Sequence, residues 1–257
     1  MQLQFEQVGK SFGDLEVIRP FDKTISTGDI VALVGPSGCG KSTLLHMVAG
    51  LEAPSSGTLK ADGDPVDSPS PRRTLVFQEH ALYPWLTLMD NVAIALEFQQ
   101  QPRQKALSEA EKWLAKVELE GFENYYPHQV SGGMRQRAAL ARAFIARPEV
   151  LLLDEPFGAL DALTRMTLQS VLKDLIAEER PTVLLVTHDV DEALYLADRV
   201  MVFSHRPATV LKEVQLGHIP KTHDLSAFAR ERIEVLKLLG IDADAGEDNH
   251  NFEGEKQ

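Results

Sequence analysis

The 257-residue sequence has one cysteine, a deficit of basic residues and no long apolar run. Cys39 alone cannot form an internal disulfide, and the first residues lack the basic and apolar regions of a secretory signal, so we expect a cytosolic protein. No apolar stretch approaches the ~18 residues of a membrane-spanning helix. Any membrane role would therefore need a separate membrane partner.

Acidic residues outnumber basic ones, at 38 Asp and Glu against 26 Lys and Arg, a net charge of -12. This balance argues against a protein that binds by neutralising nucleic-acid phosphates, so we expect no nucleic-acid partner. Hydrophobic residues make up 44% and charged residues 25%, which is ordinary globular usage and excludes a disordered, collagen-like or coiled-coil chain. The length suits one large domain, and the sequence has no internal repeat.

The pattern along the chain predicts an α/β fold with a helical insert. Glycine-punctuated β-type runs fill the first 80 residues, at 3–8, 21–25, 30–34, 58–61 and 74–77. Between about residues 86 and 147 these runs stop, and apolar residues recur at helical spacing. Predicted strands at 150–154, 182–187 and 200–203 then alternate with helices at 161–178 and 191–197. Such alternation is typical of a mostly parallel sheet.

A phosphate-binding motif follows the predicted strand 30–34. It matches the pattern of Gly, four residues, Gly, Lys and then Ser or Thr, and comprises Gly35, Pro36, Ser37, Gly38, Cys39, Gly40, Lys41, Ser42 and Thr43. The glycines allow backbone N–H groups to surround a phosphate at a helix N-terminus. Lys41 would reach the β- and γ-phosphates and the Ser42 hydroxyl would bind Mg²⁺. For Cys39 we favour a small, space-filling role.

Two carboxylates end the buried strand at 150–154. Ligands of an open α/β sheet bind beyond the carboxyl ends of its strands, where the phosphate-binding loop also lies. Asp154 is suited to the Mg²⁺ shell, and Glu155 to accepting a proton from the attacking water. Together with the loop at 35–43, this pair predicts a nucleotide hydrolase.

A second glycine-rich turn, Ser131-Gly132-Gly133, begins a helix and is a second anion-binding geometry. Alone it would be read as a helix cap. Between the two motifs above, it makes the sequence resemble the ATP-binding-cassette (ABC) ATPases over about residues 1–210. Val130 stands where that family usually has leucine.

The resemblance implies a P-loop NTPase (RecA-like) core with an N-terminal antiparallel β subdomain and an inserted α-helical subdomain. We expect a single ABC ATPase domain over residues 1–257. Its parts would be a core at 1–84 and 147–222, a helical subdomain at 85–146, and a C-terminal helix with an acidic tail at 223–257.

The resemblance also implies roles for single residues. Gln78 would sense Mg²⁺ and water, and His188 would be the switch histidine near the γ-phosphate. Asp161 ends a loop that crosses a dimer interface, in which Gly158 replaces the usual serine. Phe12 would stack on adenine, although a core phenylalanine is the alternative. Ser131, Gly132 and Gly133 would be the family's signature turn, which in one protomer contacts the ATP held by the other. We therefore expect a dimer of cassettes and favour a homodimer, with a different partner cassette as the alternative.

The stretch at residues 79–92 bears on which process the hydrolysis of ATP drives. Residues 79–92 concentrate aromatic and apolar side chains, which would form a partner site if exposed or subdomain core if buried. In the family this region receives a membrane permease, and the sequence looks most like the ATPases of nitrate, taurine, sulfonate and bicarbonate importers. We therefore expect a peripheral subunit on the cytoplasmic face of the membrane, bound to a permease and served indirectly by an extracytoplasmic substrate-binding protein. The alternatives are a soluble ABC ATPase acting on ribosomes or DNA and a non-hydrolysing nucleotide sensor.

Overall fold

The computed structural model describes residues 1–78 and 81–241. The first sheet is antiparallel. Strands β1 (Leu3–Phe12) and β2 (Leu15–Ile25) form a hairpin joined by two residues. Strand β4 (Ser56–Ala61) pairs with the other edge of β1, and the two-residue β5 (Asp64–Pro65) completes the order β2-β1-β4-β5.

The second sheet has six strands and is parallel except at one edge. Its order is β10-β9-β3-β8-β7-β6, formed by β3 (Ile30–Val34), β6 (Arg73–Val76), β7 (Val150–Asp154), β8 (Thr182–Val186), β9 (Arg199–Phe203) and β10 (Val210–Gln215). Every residue of β8 and all but the terminal residues of β3 and β7 are buried, as expected of strands covered on both faces. The antiparallel β10 lies at the edge next to β9.

Helices cover both faces of this sheet. They comprise α1 (Lys41–Ala49), α2 (Leu88–Phe98), α3 (Arg103–Lys116), α4 (Gly132–Ile145), α5 (Ala162–Glu179), α6 (Val190–Leu196) and α7 (Ala229–Leu238). Four of them begin at side-chain caps, because Thr87, Ser131, Asp161 and Asp189 accept hydrogen bonds from backbone N–H groups of the first turn. None of the helices in the described ranges combines the length and hydropathy needed to cross a membrane.

Hydrophobic cores lie on both sides of the parallel sheet. On one side, Leu44 and Leu45 of α1 share a core with Phe5 of the first sheet and Leu33 of the second. On the other side, one core joins α2, α3 and α4 to α5 and to β7, and another packs α6 and α7 against β3 and β9. The three inserted helices are therefore attached to the sheet through apolar packing as well as through the chain.

The predicted fold class is confirmed, and most predicted elements match observed ones. The helix predicted at 161–178 is α5, and the helix expected near the C-terminus, within 223–257, is α7. The sequence analysis missed β10 and the first half of β2. Both are largely exposed and carry charged side chains, so they lack the continuous apolar signal of the central strands. The predicted acidic tail lies outside the described residues.

The packing of the inserted helices predicts a large stability difference between two phenylalanines. Phe144 is fully buried and stacks on Trp113, with ring centroids 5.9 Å apart, whereas Phe98 is 72% exposed. We expect Phe144→Ala to lower the free energy of unfolding by about 3–5 kcal/mol. Phe98→Ala, the matched control, should change it by less than about 0.5 kcal/mol. Urea unfolding followed by circular dichroism measures both, and equal effects would contradict the packing described.

Candidate active site

The register of the parallel strands brings the predicted site residues to one edge of the sheet. Leu33 of β3 pairs with Val186 of β8, and Val186 pairs with Asp154 of β7. These strands therefore end at the same level. The glycine-rich loop, Glu155 and His188 follow directly after them, and all three emerge on the same side.

The loop at 35–40 packs closely on strand β9. A Cβ atom on Gly35 would lie 3.0 Å from both the Cβ and the carbonyl oxygen of Phe203, which leaves little room for a side chain. Lys41 is only 6% exposed, and its Nζ donates hydrogen bonds to the carbonyl oxygens of Gly35 (2.7 Å) and Pro36 (2.9 Å). These bonds hold the ammonium group inside the loop. Cys39 is buried there too, which agrees with a space-filling role.

A cleft of about 280 Å³ adjoins this loop. Phe12, Leu15 and Val17 form its apolar side, and Ser37, Gly38 and residues 40–43 form its polar side, with Glu155 and Arg206 also lining it. Phe12 is 48% exposed, and the Nζ of Lys10 lies 4.7 Å from the centre of its ring. Phe12 is therefore not a core residue, and its ring is available to a flat ligand.

Asp154 and Ser42 meet at the polar end of the cleft. The Ser42 hydroxyl donates a hydrogen bond of 3.0 Å to Oδ1 of Asp154, across 112 positions of sequence. Burial raises the pKa of the Asp154 carboxyl above its ordinary value, while the Ser42 hydrogen bond and the nearby His46 and Lys41 act in the opposite direction. A hydroxyl and a partly buried carboxylate thus lie within 3 Å of each other beside the phosphate-binding loop.

Glu155 is the centre of a second group of polar side chains. Its Oε2 lies 3.1 Å from Nδ1 of His188 and accepts a hydrogen bond of 3.4 Å from Nε2 of Gln78. Its backbone has a φ of 45°, in the left-handed region that non-glycine residues seldom adopt. The structure therefore gathers three residues that belong to three separate loops.

Ser131, Gly132 and Gly133 lie elsewhere. The Ser131 hydroxyl caps α4, and a Cβ on Gly133 would lie 2.5 Å from Cγ2 of Thr164, so the turn packs tightly against the start of α5. Asp161 caps that helix, and hydrogen bonds from Thr164 lower the pKa of its carboxyl. Within the described part of the chain, the residues lining the cleft include none of these four. Within one chain, therefore, the signature turn and Asp161 form a separate surface.

That separate surface is exposed and partly apolar. Leu163, two residues after Asp161, is 78% exposed, and Met166 is 43% exposed. Both side chains are therefore open to contact with another molecule.

Several residues of the site were not predicted from the sequence. Leu15 and Val17 line the cleft because β2 begins earlier than predicted. Arg206 reaches the cleft from the connection between β9 and β10, where no motif singles it out. Glu192 lies on α6, four residues after His188. Its burial could have been suspected only from the apolar residues around it on the helix.

Glu192 is a buried carboxyl beside the site. It is 5% exposed, and its Oε1 has no hydrogen-bond partner in the described part of the chain. Burial and the neighbouring Asp189 raise its pKa to about 8. At neutral pH the protonated form therefore prevails in the folded protein.

Comparison with known proteins places this geometry in a family. The sequence pattern of the ABC transporter family matches residues 18–158. An aliphatic sulfonates import ATP-binding protein of Bacillus thuringiensis subsp. konkukian is 41% identical over 242 residues, covering 92% of this chain and 95% of that protein. A nitrate import ATP-binding protein of Synechococcus elongatus is 44% identical over 250 residues, covering 92% of this chain and 91% of the relative.

Solved structures give the same result. A dimeric bacterial ABC transporter cassette, MJ0796, matches with a TM-score of 0.74 and 32% identity, covering 83% of this chain and 98% of the other. The same cassette, as a dimer in a post-hydrolysis state with ADP and phosphate, matches with a TM-score of 0.72 and 30% identity, again covering 83% of this chain and 98% of the other.

The buried Glu192 predicts a pH-dependent stability difference. Its raised pKa means that the folded state binds this proton more tightly than the unfolded state, so its stability contribution is complete at low pH and is lost as pH rises towards 8. Glu192→Gln keeps the neutral shape and removes the titration. Between pH 5 and pH 8 the wild type should therefore lose up to ~3 kcal/mol relative to Glu192→Gln.

Urea unfolding at several pH values measures this difference. The exposed Glu120→Gln is the control and should follow the wild type at every pH. A constant offset between Glu192→Gln and the wild type from pH 5 to pH 8 would contradict the assignment.

Proposed function

This chain belongs to the ABC transporter family, and from that premise we propose that it is the ATP-hydrolysing subunit of an importer for a small solute. The observation that carries the proposal is the meeting of the phosphate-binding loop, the Ser42–Asp154 pair and the Glu155–His188–Gln78 group at one sheet edge. The relatives are named as import proteins for sulfonates and nitrate, which supports a small anionic solute.

ATP would lie along the cleft with its base at the apolar side. Phe12 offers an exposed ring for stacking on adenine. The loop at 35–40 and the N-terminus of α1 offer backbone N–H groups to the phosphates. Lys41 would exchange its two carbonyl partners for phosphate oxygens, which are stronger acceptors for an ammonium group.

The residues present also fit a magnesium ion. Two neighbouring ligands of an octahedral Mg²⁺, each at about 2.1 Å, lie about 3 Å apart. The Ser42 hydroxyl and Asp154 carboxylate oxygens are 3.0 Å apart. The described residues contain no group of three His, Cys, Asp or Glu side chains suited to a metal, so phosphate oxygens and water would complete the shell, with Gln78 nearby. When bound, the ion would neutralise charge on the phosphates.

Glu155 would orient the attacking water and accept its proton. His188 and Gln78 each contact its Oε2, so they would hold the carboxylate in one orientation and sense the γ-phosphate. Gly158 lies against the same carboxylate, since a Cβ there would be 3.7 Å from Oε2. Correct placement of a water next to a fixed carboxylate is the main contribution that these side chains can make.

A second protomer would complete the site. The signature turn and Asp161 form an exposed surface away from the cleft of their own chain, and the related cassettes of known structure are dimers. Ser131, Gly132 and Gly133 at the start of α4 would approach the γ-phosphate held by the partner. The exposed Leu163 and Met166 would then be covered in the dimer.

A permease would bind in an apolar groove of about 650 Å³ between β6, α2 and α4. Phe98 is 72% exposed and Phe77 is 42% exposed along this groove, and Trp85 nearby is 70% exposed. The residues of 81–92 divide accordingly: Leu88 and Val92 are core, while Trp85 is surface. We infer that a cytoplasmic helix of the permease fills the groove, which would make this chain a peripheral subunit on the cytoplasmic face of the membrane.

Helix α4 would connect the groove to the nucleotide. It begins at the signature turn, and further along it Arg142 donates a hydrogen bond of 2.9 Å to the carbonyl oxygen of Ala81, three residues after Gln78. Movement of α4 on closure of the dimer would therefore reach the groove directly. The permease, with an extracytoplasmic substrate-binding protein, would select the solute.

Hydrolysis can be tested with two substitutions and one control. Glu155→Gln should bind ATP with Mg²⁺ but hydrolyse it about 10²–10⁴ times more slowly, since it removes the base. Lys41→Ala should lose ATP binding, because the phosphates lose their buried cation. Glu149→Gln, directly before β7 and so at the end of the strand away from the cleft, should retain wild-type turnover. Phosphate release measures ATP turnover, and equilibrium dialysis measures ATP binding. Wild-type turnover in Glu155→Gln would show that another group is the base.

Docking can be tested with Phe98→Glu in the Glu155→Gln background. Purified with ATP from detergent-solubilised membranes of its own source, the tagged parent should bring down a multi-spanning membrane protein. Phe98→Glu should reduce this recovery at least about tenfold, because a charge in an apolar groove is costly. Phe122→Glu, an exposed aromatic outside the groove, is the control. Equal recovery with Phe98→Glu would exclude the groove as the docking site, and an unchanged unfolding midpoint would separate lost docking from misfolding.

A further inference from the structure

Arg206 lies at the cleft without belonging to any motif. It is an exposed residue of the connection between β9 and β10, and it lines the cleft together with Phe12, Lys41 and Glu155. A Cβ atom on Gly38 would lie 3.6 Å from Nη2 of Arg206. The guanidinium group is therefore placed over the phosphate-binding loop.

The backbone that carries Arg206 is fixed on both sides. Ser204 and Thr209 close the connection, since Ser204 N–H donates to the Thr209 carbonyl at 3.0 Å and Thr209 N–H donates to the Ser204 hydroxyl at 3.0 Å. Ala208 is buried and donates its N–H to the carbonyl of Val17 at 2.8 Å. The connection is thus attached to β2 beside the apolar wall of the cleft.

The charge of Arg206 is not matched by an acidic partner. Several arginines of the chain pair with carboxylates, as Arg72 does with Glu149 at 2.5 Å and Arg165 with Asp189 at 3.1 Å. Among residues 1–78 and 81–241, Arg206 forms no ion pair or hydrogen bond through its guanidinium group. An arginine at a fixed position, with its donors uncommitted and a phosphate-binding loop beneath it, has the chemistry to bind a phosphate group.

We propose that Arg206 binds the phosphate chain of the nucleotide, as a second cation opposite Lys41. The inference rests on the proposed ATP site and adds a residue to it. Lys41 is buried beneath the loop, whereas Arg206 covers the same loop from the solvent side, so the two cations would hold the chain between them. In the described part of the chain, Arg206 forms no hydrogen bond or ion pair with Glu155, so we expect it to act in ground-state binding and its loss to weaken affinity more than turnover.

The experiment compares Arg206→Ala and Arg206→Lys with Arg19→Ala in the full-length chain. Arg19 is an exposed arginine of β2 outside the cleft, paired with Glu16 at 3.6 Å. Dissociation constants for ATP and for adenosine are measured by equilibrium dialysis in the Glu155→Gln background. The KM and kcat of ATP hydrolysis are measured with each substitution in the otherwise unchanged chain.

Arg206→Ala should raise the dissociation constant for ATP about tenfold and the KM similarly, with kcat within about twofold. Arg206→Lys should recover part of the ATP affinity. Added salt should reduce the difference in ATP affinity between Arg206→Ala and the parent, because the contact is ionic. The adenosine affinity of Arg206→Ala should equal that of the parent. Arg19→Ala should equal it in both ATP and adenosine affinity.

Two results would overturn the inference. One is an ATP dissociation constant in Arg206→Ala equal to that of the parent. The other is an equal loss of ATP and adenosine affinity, which would assign Arg206 to the base or to the shape of the connection. Absence of ATP binding in the parent itself would instead refute the proposed function, and this inference with it.

Discussion

The parallel pairing of β3, β8 and β7 is the constraint from which the site follows. Leu33, Val186 and Asp154 lie at one level across three strands, and each strand continues into a loop with a different polar group. A slip of one residue in any pair would turn every side chain of that strand to the other face of the sheet. Because both faces of these strands are buried, such a slip would disrupt the side-chain packing on each face and displace the polar groups at the strand ends. The core and the site therefore depend on the same strands.

Each loop at this edge of the sheet positions a different polar group through its own contacts. The buried Lys41 keeps the phosphate-binding loop in shape through two carbonyl oxygens, and Asp154 reaches the start of α1 through Ser42. Glu155 accepts contacts from the loops after β6 and β8. Each group is therefore placed by backbone that belongs to the rigid sheet, which is the condition for precise positioning of a reacting water. In the proposed function, the remaining part of the site comes from a second protomer.

Much of this arrangement could be predicted from the sequence, because the residues involved occur in short, spaced patterns. The glycines and Lys41 follow an apolar strand and precede a helix, and Asp154 and Glu155 end a second apolar strand. Since the carboxyl ends of parallel strands share one edge of the sheet, the two motifs were expected to lie together. The positions of Gln78 and His188 came from family resemblance, and the structure places both against Glu155.

Other features had no such signal. Arg206 reaches the cleft from the connection that leads to the antiparallel edge strand β10. That strand was not predicted from the sequence, since Lys212 and Glu213 interrupt its apolar residues. Phe98 was missed because the apolar groove is formed by three elements distant in sequence. Single positions of this kind depend on tertiary packing, which local periodicity does not describe.

The proposed ATP site requires a dimer, since the signature turn lies away from the cleft of its own chain. The most direct measurement is the sedimentation of Glu155→Gln with ATP and Mg²⁺, with Ser131→Arg added in a second variant. We predict twice the mass of one chain for Glu155→Gln with ATP, the mass of a single chain without ATP, and the mass of a single chain for the Ser131→Arg variant under both conditions. A single-chain mass for Glu155→Gln with ATP bound would contradict a site that is shared between two protomers.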